Sequence, residues 1–141
     1  MPPARPDPRG YVPLACHSWY SFLWGTDPIA SLCEAVAGWK GSALALTDIN
    51  GVYGALTFWE EARAAGLAPL VGADARPASG PGAVLLAAGV RGYRRLCRIL
   101  TELHHGAAHL DRLLKEDREG LWTLVSDPAL LEDLARETGP A

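Results

Sequence analysis

Five stretches of this chain, YVPLAC, SALALT, LAPLVGAD, GAVLLAAG and LWTLVS, are apolar almost throughout. Segments of helical periodicity separate most of them, and a Pro/Gly turn links the third to the fourth. A strand with no polar face has to be covered on both sides. This order therefore predicts an α/β fold, a parallel sheet or barrel whose strands lie beneath helices.

The helical segments carry their own punctuation. TDPIASLCEAVAGWK opens with Asp27 as N-cap and Pro28 at the first helical position, where the missing N–H costs nothing. Ile29, Leu32, Cys33 and Val36 recur at helical spacing as its inward stripe, and Gly41 ends it. GALTFWEEARAAG sets Leu56 and Trp59 on one face and stops at Gly66. GYRRLCRILTELHHG turns Tyr93, Leu96, Cys97, Leu100 and Leu103 inward. LDRLLKEDREG reads as a short amphipathic helix, and DPALLEDLARETG repeats the Asp-Pro cap.

In folds of this kind, function gathers on the loops after the strands' C-terminal ends. His17, Asp48 and Asp74 stand at three such ends, and a hydroxyl-rich turn with Ser18, Tyr20 and Ser21 follows the histidine. Singly, each has a plain structural role: His17 capping a loop, Asp48 forming an Asx-turn with Asn50 and Gly51, Asp74 opening a polar loop. Together they define a carboxylate–histidine pocket suited to a hydrolytic metal. One histidine and two carboxylates are too few for a multi-metal centre, so a remnant or merely polar pocket ranks ahead of a working one.

Other candidates are weaker. His104, His105 and His109 point in different directions around a helix end interrupted by Gly106, which makes a solvated terminus. Arg91, Arg94, Arg95 and Arg98 share a helix and could touch phosphate, but they also form the exposed face opposite Leu96 and Leu100. Trp19 and Trp24 suit core or lid packing better than a binding platform. Cys16, Cys33 and Cys97 lack CxxC spacing and read as buried free thiols of a reducing cytoplasm.

Bulk properties narrow the function. A chain of 141 residues with 49% hydrophobic and 21% charged residues is the size and composition of one globular domain. A net charge of −3 provides no basic field for DNA or an anionic membrane. The leading MPPARPDPRG, residues 1–10, has no signal-peptide core and reads as a flexible lead-in to a domain spanning 11–141. No apolar run approaches the ~20 residues of a membrane span, and a cytoplasmic location is expected.

The stretch CHSWYSFLWGTDPIASLCEAVAGWKGSALALTDINGVYGALTFWEEARAAGLAPLVGAD resembles the opening of the PHP (polymerase and histidinol phosphatase) domain. More narrowly, it is similar to the PHP domain at the N-terminus of bacterial C-family DNA polymerases, the polymerase III α-subunit and its error-prone relatives. AVLLAAGVRGYRRLCRILTELHHG and GLWTLVSDPALLEDL continue that likeness. It implies a distorted (βα) barrel, of which this chain would be the N-terminal portion. In members with an active site, a strand bears His-x-His; here the first position is Ala15 and the second His17. The family's Thr-Asp-His becomes Thr47, Asp48 and Ile49, and its glutamate falls at Asp74.

The resemblance therefore implies a non-catalytic PHP module of an error-prone-type polymerase, acting in DNA replication or damage-tolerant synthesis. No cofactor is expected for that degenerate form. If the site works, zinc or manganese is implied, on His17, Asp48 and Asp74, in a small phosphoesterase or 3′–5′ exonuclease. The expected partners are the rest of a polymerase polypeptide, with DNA reached only through it. Without a polymerase palm, residues 1–141 are expected not to polymerise DNA. Half a barrel also exposes a strand edge and interior, so self-association is expected.

Overall fold

The computed structural model describes residues 11–106 and 109–138; the expected lead-in, residues 1–10, lies outside them. Helices α1 (Ile29–Gly38), α2 (Ala55–Ala64), α3 (Gly89–His104), α4 (Leu110–Glu116) and α5 (Pro128–Thr138) intersperse with strands β1 (Ala43–Leu46), β2 (Ala68–Ala75), β3 (Ala83–Ala87) and β4 (Leu121–Leu124). The strands form one sheet in the order β1-β2-β3-β4. The α/β class and the barrel-like arrangement agree with the sequence reading.

The sheet is not parallel throughout. β1 pairs with β2 in parallel, Ala43 opposite Ala68 and Leu46 opposite Val71. β3 and β4 are each antiparallel to their predecessor. Only a short Pro/Gly-rich turn separates β2 from β3, and a turn of that length can join antiparallel strands alone. β2 thus serves two partners, its first half β1 and its second half β3. Gly72 sits where β3 comes closest, since a Cβ there would meet the Leu85 carbonyl oxygen.

YVPLAC, expected as a strand, is irregular. Pro13 has no N–H to give to a ladder. The segment still lies along β1: the Ala45 N–H donates to the Pro13 carbonyl and the Thr47 N–H to that of Cys16. Three residues on one side thus match two on the other, and the chain bends at Leu14 and Ala15. Thr47 supplies what the ladder lacks. Its Oγ1 accepts from the Cys16 N–H at 2.9 Å and donates to the Cys16 carbonyl at 3.2 Å.

The two Asp-Pro devices part company. Asp127 caps α5, accepting the Leu130 N–H at 2.8 Å. Asp27 does not cap α1; Pro28 is the N-cap, and the Asp27 carboxylate accepts the Thr26 hydroxyl instead. α1 ends at Gly38, and Gly41 follows a left-handed Lys40, its N–H returning to the Val36 carbonyl. Leu56 and Trp59 share a face of α2, but it is exposed; Phe58 and Ala62 are the buried residues. On α3, Ile99 joins Leu96 and Leu100 in the interior, while Tyr93 lies at the surface.

Two apolar clusters result. Ile29, Cys33, Val36, Leu44, Leu46, Phe58 and Ala62 pack α1 and α2 on β1. The second cluster sets α3, α4 and α5 against β2 and β3 around Leu85, Leu96 and Leu114. Phe58 has no exposed surface, so Phe58→Ala should cost ~3–5 kcal/mol in urea denaturation. A loss below ~1 kcal/mol would contradict this packing.

Burial, with Glu61 second, pushes the Cys33 thiol up to about 11. A raised thiol pKa favours the neutral form in the folded chain. Its contribution is complete below the ordinary thiol value and is lost as pH rises toward the folded one. Unfolding free energy should decline between about pH 9 and 11, and Cys33→Ala should flatten that decline. An identical slope in both proteins would assign it to other groups.

Candidate functional site

The loop after YVPLAC is drawn inward by one carboxylate. Asp48, just past β1, is 2% exposed. Its Oδ1 accepts the Ser18 N–H at 2.7 Å and the Ser21 hydroxyl at 2.6 Å; its Oδ2 accepts the Ser18 hydroxyl at 2.8 Å. The Ser21 Oγ in turn accepts the Ile49 N–H at 3.0 Å. A buried carboxylate needs this many donors to offset its lost hydration. Asp48 therefore anchors a loop; it forms no Asx-turn with Asn50. Gly25 closes the loop, because a Cβ there would strike the Ser18 carbonyl.

Asp74, on β2, faces the other way into the cleft. Its Oδ2 receives His17 Nε2 at 3.1 Å, Arg76 Nη2 at 2.7 Å and Arg76 Nε at 3.1 Å. Asp74 and Arg76 lie two apart on an extended chain and share a face, the signal that could have exposed Arg76 in the sequence. Trp24 completes the group. The Arg76 guanidinium carbon stands 4.0 Å from the indole centroid, and the His17 ring meets the indole edge-on at 6.5 Å. Trp24 is 62% exposed, a lid rather than a core residue.

Asn50 ties the pieces together. Its left-handed backbone, φ 49°, turns the side chain toward Arg76. There Oδ1 accepts the Arg76 N–H at 2.7 Å and Nδ2 donates to the Arg76 carbonyl at 2.8 Å. From the far end of α3, His104 Nε2 makes a hydrogen bond of 2.7 Å with the Asn50 carbonyl. His104 is exposed, as expected of a solvated helix end, and it also holds the loop. His105 and His109 stay exposed and apart from it.

His17 and Asp74 come together through their hydrogen bond, and Ala15 lines a cleft of about 560 Å³ with Asp74 and Arg76. Ile49 bridges to Asp74 through the backbone. The Asp48 carboxylate is committed to Ser18 and Ser21 instead of the cleft. Among the described residues, no three His, Cys, Asp or Glu side chains converge as a metal-ligand group. A divalent ion does not fit these donors as arranged, since both Asp48 oxygens are engaged by the loop and Asp74 already holds a guanidinium.

The arginine cluster of α3 is dispersed in its tasks. Arg91 pairs with Glu119. Arg95, nearly buried, donates through Nη2 to the Leu113 carbonyl at 2.8 Å and through Nε to that of Asp117. It thereby satisfies carbonyls at the end of α4. Arg94 and Arg98 remain on the exposed face.

The chain matches the PHP domain across residues 13–135, and it belongs to that family. Relatives to which it is similar are error-prone DNA polymerases. It is 41% identical over 96 residues to that of Symbiobacterium thermophilum, covering 68% of this chain and 9% of the relative. Against that of Pseudomonas paraeruginosa it is 38% identical over 111 residues, covering 76% and 10%. The chain thus spans about a tenth of the length of these relatives. Its fold is similar to that of a structure named as a metal-dependent phosphoesterase of Bifidobacterium adolescentis, with a TM-score of 0.55 and 17% identity. That match covers 72% of this chain and 34% of the other.

If Asp48 anchors the loop, removing one donor should be felt as lost stability. Ser21→Ala should cost ~1.5–3 kcal/mol, the range for a hydrogen bond to a charged group. It also frees the Ile49 N–H. Urea denaturation showing no loss would mean that the loop is held by other contacts.

Proposed function

We propose that this chain is a non-catalytic PHP module, a structural part of an error-prone-type C-family DNA polymerase with a role in replication or damage-tolerant synthesis. The observation that carries the reading is the fate of the carboxylates. Asp48 is spent on Ser18 and Ser21, and Asp74 on His17 and Arg76. Ala15 and Ile49 stand where the resemblance expects imidazoles. His17, Asp48 and Asp74 are on this account the remnant of a metal site, kept because they now hold loop and sheet together.

The kinship to error-prone polymerases supports the polymerase setting. The partner on this reading is the remainder of such a polymerase, and DNA is met through it. The chain on its own self-associates through the edge of β4 that no strand among the described residues pairs, where Trp122 is exposed.

Incubation with Mn²⁺ or Zn²⁺ and a model phosphodiester tests the central claim. No metal-dependent hydrolysis above background is expected. Turnover that requires metal and disappears in His17→Ala would establish the alternative, a small phosphoesterase or 3′–5′ exonuclease.

A further inference from the structure

We infer that Arg76 is the built-in cation of the cleft, holding Asp74 and His17 in the arrangement a metal ion would otherwise impose and keeping such ions out. The inference rests on the non-catalytic reading and adds the residue that enforces it. Asp74 is 8% exposed, and a carboxylate so buried needs a positive partner or several donors. It has both. Three N–H donors converge on Oδ2, two of them from one guanidinium and one from His17.

A divalent ion bridging Asp74 Oδ2 and His17 Nε2 would lie against that guanidinium. Arginine cannot shed its proton to relieve the repulsion, as a lysine can. Nor can it readily swing aside. The Trp24 indole covers one face of the guanidinium at 4.0 Å. The Arg76 backbone is held on both its N–H and its carbonyl by Asn50, which His104 holds in turn. The guanidinium is therefore held beside Asp74 by its two hydrogen bonds and by Trp24, on a backbone tied down by Asn50, and metal is opposed by electrostatics as well as by missing ligands.

The test uses the full chain with Arg76→Met and Arg76→Gln, each alone and with Ala15→His. Ala15 lines the cleft, so its replacement offers a third donor beside His17 and Asp74. Zinc binding is read by titration calorimetry and by the shift in Tm on adding Zn²⁺. Ala15→His alone should bind zinc no better than the parent, because Arg76 remains. Ala15→His with Arg76→Met should bind ~10-fold tighter or more, the scale on which neighbours of metal ligands act, and its Tm should rise with Zn²⁺.

Arg76→Gln keeps a donor for Asp74 without the charge. It decides the matter if the methionine variant fails to fold. Adding His17→Ala should abolish the gain. Overturning results are Ala15→His binding zinc equally well with and without Arg76, neither pair binding, or a gain that survives loss of His17. Metal-dependent hydrolysis by the parent that is lost in His17→Ala would sink the non-catalytic reading and the exclusion of metal with it, whereas an inactive parent with a failed zinc comparison would overturn the role of Arg76 alone.

Discussion

The Asp48 carboxylate, buried beneath a loop of serines, is the interaction on which the rest of the cleft depends. It takes the Ser18 N–H and the hydroxyls of Ser18 and Ser21. Those bonds draw the loop down over the end of β1, setting His17 beside Asp74 and Trp24 over Arg76. The buried side-chain polar atoms described in this arrangement all have partners, and a half-satisfied version would be worse than an apolar one. Aromatic residues of the loop can stand in solvent because hydroxyl–carboxylate bonds, not apolar burial, hold it.

A second consequence concerns charge. The cleft and the loop beside it contain two carboxylates and one imidazole within the PHP fold, yet the protein has balanced the carboxylates internally. Asp48 is met by neutral donors and Asp74 by a guanidinium. Fold and chemistry are separable in widely shared folds, and the proposed reading makes this chain a case of it. The same β-sheet ends can present carboxylates to a metal or neutralise them with side chains two residues away. On the proposed reading, Ala15, Ile49 and Arg76 are among the residues that decide which occurs.

β2 is the structural hinge of that outcome. Its first half continues a parallel α/β pattern with β1, and its second half turns the sheet antiparallel through β3. Asp74 lies in the second half, paired with Val84 and bridged by Ile49. The Asn50 side chain extends the pairing past the end of β1 by binding the Arg76 backbone as a strand would. Hydrogen bonds from side chains thus complete the sheet where the ladder stops, as Thr47 also does beside Cys16.

Local pattern determined much by itself. The alternation of apolar runs and helical stripes located the helices and β1 to β4, and Asp127 before Pro128 marked a real cap, because these depend on residues near in sequence. The same Asp-Pro pair failed at Asp27, and YVPLAC failed as a strand, because a cap and a ladder each need a partner that local spacing does not guarantee. His17 with Asp74 could be anticipated from strand-end positions and the family likeness. The commitment of Asp48 to Ser18 and Ser21, the stacking of Arg76 on Trp24 and the reach of His104 to Asn50 could not. Each joins residues more than twenty-five positions apart in chain order, and only the folded backbone brings them within hydrogen-bond or ring contact.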